Sequence, residues 1–248
     1  MAWFLCDLVQ CIHWYGGTPY NKSFVNSKSE LLSQFPTDKV KTLSANVRNT
    51  VDISNLLGAI RSCVGTRDKP SILPVQEAGH YIHGTLPRLY VAHERDRESV
   101  LREVVRSVKE ELFGKEPRLS YKDLAGITRD PEQLAEIFRE QGLPITTTSS
   151  GTTDISSGHG GTDSVWVGNL EHTPSREWPA VLGVYDVQYD ARSRVDRNTQ
   201  LSQLYSLISR ARVHCTLLLL HNETTHEDAR YMFNVFLKPH VLVKTCFS

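Results

Sequence analysis

The sequence predicts an α/β fold, a central and mainly parallel sheet with helices on both faces. Short apolar runs, such as RLYVAH at Arg88–His93 and CTLLLL at residues 215–220, read as buried strands. Amphipathic stretches at helical spacing separate them, and that alternation is the pattern of a parallel sheet covered on both sides. The chain's 248 residues, 40% hydrophobic and 23% charged, are enough to bury a proper core, and the composition is that of a globular protein.

Residues 2–6 read as a first buried strand, and Arg88–His93 as another. A helix is predicted over 94–113, where Val100, Leu101, Val104, Val105, Val108 and Leu112 recur on one face. Gly114 and Pro117 end it. Residues 124–128 (LAGIT) form the next strand. The following helix has a marked start: Asp130 caps, Pro131 takes the first helical position and Gln133 completes a capping box. Leu134, Ile137 and Phe138 supply its buried face, and Gly142 stops it. Residues 146–164, rich in Ser, Thr and Gly, read as an exposed, mobile loop. Strands follow at 165–170 and 180–187, then a helix over 199–212 with Leu201, Leu204, Tyr205 and Ile208 on one side. The strand at 215–220, a helix at 225–237 and a final strand or tail at 241–247 complete the chain, which has no internal repeat. Ligands in such folds sit at the carboxyl ends of the strands, and the functional motifs are expected there.

Lys plus Arg (28) balances Asp plus Glu (28), so a global basic field is absent and any nucleic-acid binding needs a local groove. Cys6, Cys11, Cys63, Cys215 and Cys246 form no CxxC pair, which fits reduced thiols in a nuclear or cytoplasmic protein. No apolar run reaches the ~18–20 residues of a membrane helix, so no membrane role is expected. The phosphate-cradling G-x-x-x-x-G-K-[ST] is missing; GGTPYNKS at 16–23 has Asn21 where the second glycine belongs, so Lys22 reads as a solvated loop lysine. His80 and His83 lack a partner pair at metal-like spacing, and no metal site is expected.

Four segments say more together than singly. The first is WFLCDLVQCIHWYGG at residues 3–17, in which a buried strand ends at Asp7 and Gln10 follows. The second, LSANVRNT at 43–50 with Ile53 after it, has Arg48 opening a helical stretch. The third, EWPAVL at 177–182, places Glu177 just before a strand. The fourth, LYSLISRAR at 204–212, places Arg210 near the end of an amphipathic helix.

In order and spacing these resemble motifs III, IV, V and VI of the UvrD-like superfamily 1 DNA/RNA helicases, over about residues 2–221. The resemblance implies a RecA-like second domain of the P-loop NTPase superfamily. It implies that Gln10 senses the γ-phosphate of ATP, and that Arg48 and Arg210 are paired cations reaching that phosphate from the second domain. Two guanidiniums there stabilise charge on the transferring phosphoryl group. Glu177 would accept hydrogen bonds from the ribose. Trp14 and Tyr15 lie where the family stacks an aromatic on a base of single-stranded nucleic acid, a contact worth ~1–3 kcal/mol per base. His172 is a further candidate for nucleic-acid contact.

The departures from the family are as informative. The family's first RecA-like domain, with its P-loop and Mg-binding Asp-Glu, precedes motif III, whereas this sequence starts at motif III. Pro174-Ser175-Arg176 replaces the Lys-Gly of motif V, and Cys6 replaces the glycine of motif III. The expected division is a first-domain remnant at 1–17, the second domain at 18–221 and a packed extension at 222–248. The resemblance implies that such a chain is a helicase's C-terminal motor half, from a fragment, truncated product or incomplete gene model. It is then expected to use ATP with Mg2+ only with a first RecA-like domain in cis or trans, and by itself to hydrolyse negligibly. The alternatives are a degenerate, non-catalytic module that binds nucleic acid or protein, and an unrelated small-molecule α/β enzyme with a closed pocket away from Arg48 and Arg210.

Overall fold

The computed structural model describes residues 45–63, 77–78, 81–114, 117, 119–147, 163–173, 176–187 and 197–245. In chain order its elements are β1 (Ala45–Asn46), α1 (Val51–Cys63), β2 (Glu77–Ala78), β3 (Arg88–His93), α2 (Arg97–Phe113), β4 (Leu124–Ile127), α3 (Pro131–Glu140), β5 (Ile145–Thr147), β6 (Val165–Gly168), β7 (Trp178–Asp186), α4 (Arg197–Ile208), β8 (Ala211–His221), α5 (His226–Met232) and β9 (Leu242–Thr245). The main sheet has seven strands in the order β5-β6-β4-β7-β8-β3-β9. Every pairing in it is parallel. β1 and β2 form a separate parallel pair.

Strand alternation builds two cores. Leu89, Val91, Ala125, Val181, Tyr185, Leu217 and Leu219 pack with α1, α4 and α5 on one face. Their neighbours in sequence, Tyr90, Leu124, Ala180, Leu182, Leu218 and Leu220, pack with α2 and α3 on the other. The central strands are therefore apolar on consecutive residues, as a sheet buried on both sides requires. Two glycines set the helix–sheet spacing. A Cβ on Gly126 would lie 2.8 Å from the Phe138 ring, and one on Gly183 would lie 2.2 Å from a Leu207 methyl.

The helix starts and stops follow local chemistry. Asp130 Oδ1 accepts from the Gln133 amide at 3.3 Å, and Pro131 opens α3. Gly142, at φ +74°, closes it in the left-handed region that favours glycine. The capping box expected at Gln133 is half present: its Oε1 accepts instead from Arg97 Nε at 2.8 Å.

Other boundaries shift for tertiary reasons. The helix expected over 199–212 ends at Ile208, because Ala211–His221 is captured as a strand between β7 and β3. Thr146 and Thr147, expected in a loop, belong to edge strand β5. The rest of that loop lies outside the described residues except Asp163 and Ser164; the Ser164 hydroxyl lies 2.6 Å from that of Thr146. After α5 the chain widens into a π turn over Phe233–Leu237, where Phe233 and Leu237 join the core beside α1. β9 then adds to the β3 edge. The strand read at residues 2–6 lies outside the described residues.

Candidate functional site

The starts of β7 and β8 are register partners: Trp178 pairs with Ala211, and the Trp178 amide donates to the Arg210 carbonyl at 2.9 Å. The residues just before each strand, Glu177 and Arg210, are thereby brought side by side. Arg48 reaches the same place from a distant stretch of chain. Asn46 Oδ1 accepts from the amides of Arg48 (3.0 Å) and Asn49 (3.2 Å), an Asx-type turn that holds Arg48 on a tight bend. Asn49, 2% exposed, then donates its amide to the Ala211 carbonyl at 2.5 Å and the Ser209 carbonyl at 3.4 Å, on either side of Arg210. The Thr50 amide donates to the Arg212 carbonyl at 3.0 Å.

Arg48, Glu177 and Arg210 thus gather along one edge of the sheet. Arg48 Nε and Glu177 Oε1 are 2.7 Å apart, with side chains 48% and 25% exposed. Arg210 is buried, and its Nη1 donates to the Arg176 carbonyl at 3.4 Å. The edge is the amino end of the strands, not the carboxyl end where open α/β sheets usually bind and where the motifs were expected. The reason is local: Glu177 and Arg210 each precede a strand, and Asn49 and the Glu177 carboxylate bring the bend bearing Arg48, at the start of α1, to the same edge.

Around this edge, Tyr81, Ile82 and Val47 are exposed. The Val51 amide donates to the Ile82 carbonyl, and Asp52 Oδ2 accepts from the Gly84 amide at 2.9 Å. His83 lies 3.4 Å from the same carboxylate. Gln10, Trp14 and Tyr15 lie outside the described residues, as does His80. His172 falls in a 3-10 turn, Leu170–His172, between β6 and β7.

The carboxyl edge differs in character. Arg97 Nη1 meets Asp186 Oδ1 at 2.5 Å, with side chains 17% and 19% exposed. Burial pushes the Asp186 carboxyl above its ordinary range, against the opposing pull of Arg97. His93 and His221 are register partners with ring centroids 5.4 Å apart, and His226 packs edge-on against His221 at 4.9 Å. Burial lowers the His221 imidazole first of all, with repulsion from His226 and His93 adding to it. Cys215 is a buried thiol that desolvation pushes up to about 12, so it is inert as a nucleophile. A small cavity of about 10 Å³ beside it is lined by Arg88, Glu111, Leu124, Val181 and His214. That space is about one water probe in size and holds no substrate.

Sequence reading missed Asn49, Thr50 and the Arg176 carbonyl. The Asn46-x-x-Asn49 spacing was the available signal, since Asn at that interval makes turns; the partner carbonyls were not readable from spacing. Among the described residues no group of His, Cys, Asp and Glu is placed to hold a metal. No helix among them is long and apolar enough to cross a membrane. The cationic amino edge suits an anionic phosphate, but a Mg2+ ion would need ligands from elsewhere.

No protein-family model and no curated protein matches the chain. Among solved structures, it is similar to the C-terminal domain of a possible DNA helicase from Lactobacillus plantarum WCFS1, at 14% identity and a TM-score of 0.49, over 80% of this chain and 98% of that one. It is also similar to the C-terminal domain of the DEAD-box protein Dbp5, at 12% identity and a TM-score of 0.39, over 65% of this chain and 88% of that one. Likenesses this distant do not carry a function.

Proposed function

We propose that this chain is the second, RecA-like motor half of an ATP-dependent DNA or RNA helicase of the UvrD-like kind, acting in the nucleus or cytoplasm. The observation that carries this reading is the convergence of Arg48, Glu177 and Arg210 on one sheet edge from three separated segments. In this reading Arg48 and Arg210 face the triphosphate that a first RecA-like domain holds in its P-loop, in cis or in trans. Bound Mg-ATP supplies a phosphoryl group whose developing negative charge the two guanidiniums stabilise. Glu177 accepts from the ribose hydroxyls. Asn49 fixes the bend bearing Arg48 against the backbone on both sides of Arg210, so the cations are held in register before any nucleotide arrives. Gln10 contributes the γ-phosphate contact, and Trp14, Tyr15 and His172 the single-strand contacts.

The test is Mg-ATP binding and turnover by the purified chain. The expected result is weak, saturable binding with no turnover, and loss of that binding in Arg48→Ala and in Arg210→Ala. Unaided hydrolysis, or undiminished binding in both variants, contradicts the proposal. A single-stranded oligonucleotide is expected to bind with an affinity that falls as salt rises, because phosphate contacts release counterions.

A further inference from the structure

We infer that the Arg48–Glu177 ion pair is a specificity latch, opened by a phosphate and kept open only by a ligand that also offers hydroxyl donors. The inference rests on the reading of the amino edge given above and names how that site selects its ligand. The two residues assigned to different parts of a nucleotide are bonded to each other, Arg48 Nε to Glu177 Oε1 at 2.7 Å. An arriving anion that takes the Nε–H of Arg48 therefore competes with a carboxylate already placed on it.

The chemistry of the two partners makes the exchange selective. An arginine only donates hydrogen bonds and an ionised carboxylate only accepts them. A phosphate oxygen that takes Arg48 replaces one acceptor by another, so Arg48 loses nothing. Glu177 loses its donor, and only a quarter of its side chain is in contact with water to compensate. Inorganic polyphosphate brings no ribose hydroxyls and, once its terminal phosphate is fully ionised, no donor at all, so it leaves Glu177 stranded beside added negative charge. A ribonucleoside triphosphate brings the same phosphates together with ribose hydroxyls, which donate to the released carboxylate. The latch thus penalises bare polyphosphate and spares the nucleotide. Because the pair is partly exposed, the discrimination is modest, roughly two- to fivefold in affinity, which is what ion pairs of this exposure support.

Glu177→Gln removes the charge that holds the latch while keeping the side chain's size and supplying an amide donor of its own. The experiment titrates tripolyphosphate and, separately, Mg-ATP into the full chain and into Glu177→Gln, with Arg48→Ala as the control. Binding is followed by the arginine Nε–H resonances in nitrogen-15 NMR spectra. The expected result is a crossing. Glu177→Gln binds tripolyphosphate about two- to fivefold more tightly than the parent and binds Mg-ATP no more tightly. A variant that binds tripolyphosphate equally or less tightly, while the parent binds both ligands through Arg48, overturns the latch and leaves the nucleotide reading standing. Tighter binding of both ligands to the same degree also overturns it, since Glu177 is then a general repellent. If neither ligand moves the Arg48 resonance in parent or variant, the nucleotide reading fails and the latch falls with it.

Discussion

Two arginines at opposite ends of the parallel sheet, Arg97 and Arg48, are held differently. At the carboxyl edge Arg97 is spent on structure: its Nη1 pairs with Asp186, its Nε donates to Gln133, and both ion-pair side chains are mostly buried. At the amino edge Arg48 is nearly half exposed and held by one partly exposed carboxylate. Arg97 ties α2 to β7 and the start of α3, so it stabilises the fold. Arg48 sits on a bend whose backbone is pinned by Asn46 and Asn49, so its position does not depend on the ion pair its guanidinium makes. A charged group whose placement is fixed by the backbone and whose end remains accessible is suited to a ligand. Proximity of opposite charges alone does not distinguish Arg48 from Arg97; burial does.

That contrast can be broken most sharply at Arg97. Arg97→Ala leaves a mostly buried carboxylate without its cation and is expected to cost about 3 kcal/mol, read from urea denaturation. A loss below about 1 kcal/mol would make the carboxyl edge as expendable as an exposed pair. Asn49→Ala comes next, at about 2 kcal/mol, because it strips a buried donor from backbone carbonyls that flank Arg210. It is also expected to weaken Mg-ATP binding, which Arg97→Ala in folded protein does not.

The histidines of the carboxyl edge give a smaller, pH-dependent effect. His221 faces His93 and His226, with Glu223 nearby and the Asn222 backbone accepting from it. Its folded pKa lies below the ordinary value, so the unfolded chain binds the proton more readily. Stability present above about pH 6.5 is therefore lost as pH falls through that value towards the folded pKa. The slope is at most about 1.4 kcal/mol per pH unit for one titrating group. His221→Gln is expected to flatten that part of the stability profile, and an unchanged slope would remove His221 as its source. The smallest effect belongs to Arg48→Ala, expected to change stability by less than about 0.5 kcal/mol while abolishing phosphate binding.

The sequence made the centre of the molecule legible and blurred its edges, for physical reasons. β3, α2, β4 and α3 are recognisable because buried strands are continuously apolar and these helices carry a regular stripe with clear stops. β5 is not: Ile145–Thr147 is short and polar, and it is a strand only because β6 offers it a partner. The end of α4 was misjudged because Ser209 through Arg212 continue the helical pattern, whereas parallel pairing of β8 with both β7 and β3 claims the chain from Ala211 onward. Arg48, Glu177 and Arg210 could be singled out by their place beside strands and helices. The edge they occupy could not, because spacing along the chain does not say which end of a sheet a loop will reach. Asn49 was invisible for a related reason: its hydrogen-bond partners lie about 160 residues away.

The most direct test of the amino-edge account is a Mg-ATP titration of the nitrogen-15-labelled chain, following the Nε–H resonances of Arg48, Arg210 and Arg97 together. The account predicts that Arg48 and Arg210 shift with one common saturation curve while Arg97 stays in place. Movement of Arg97 with Arg48 and Arg210 unmoved would put the ligand at the opposite end of the sheet and contradict it.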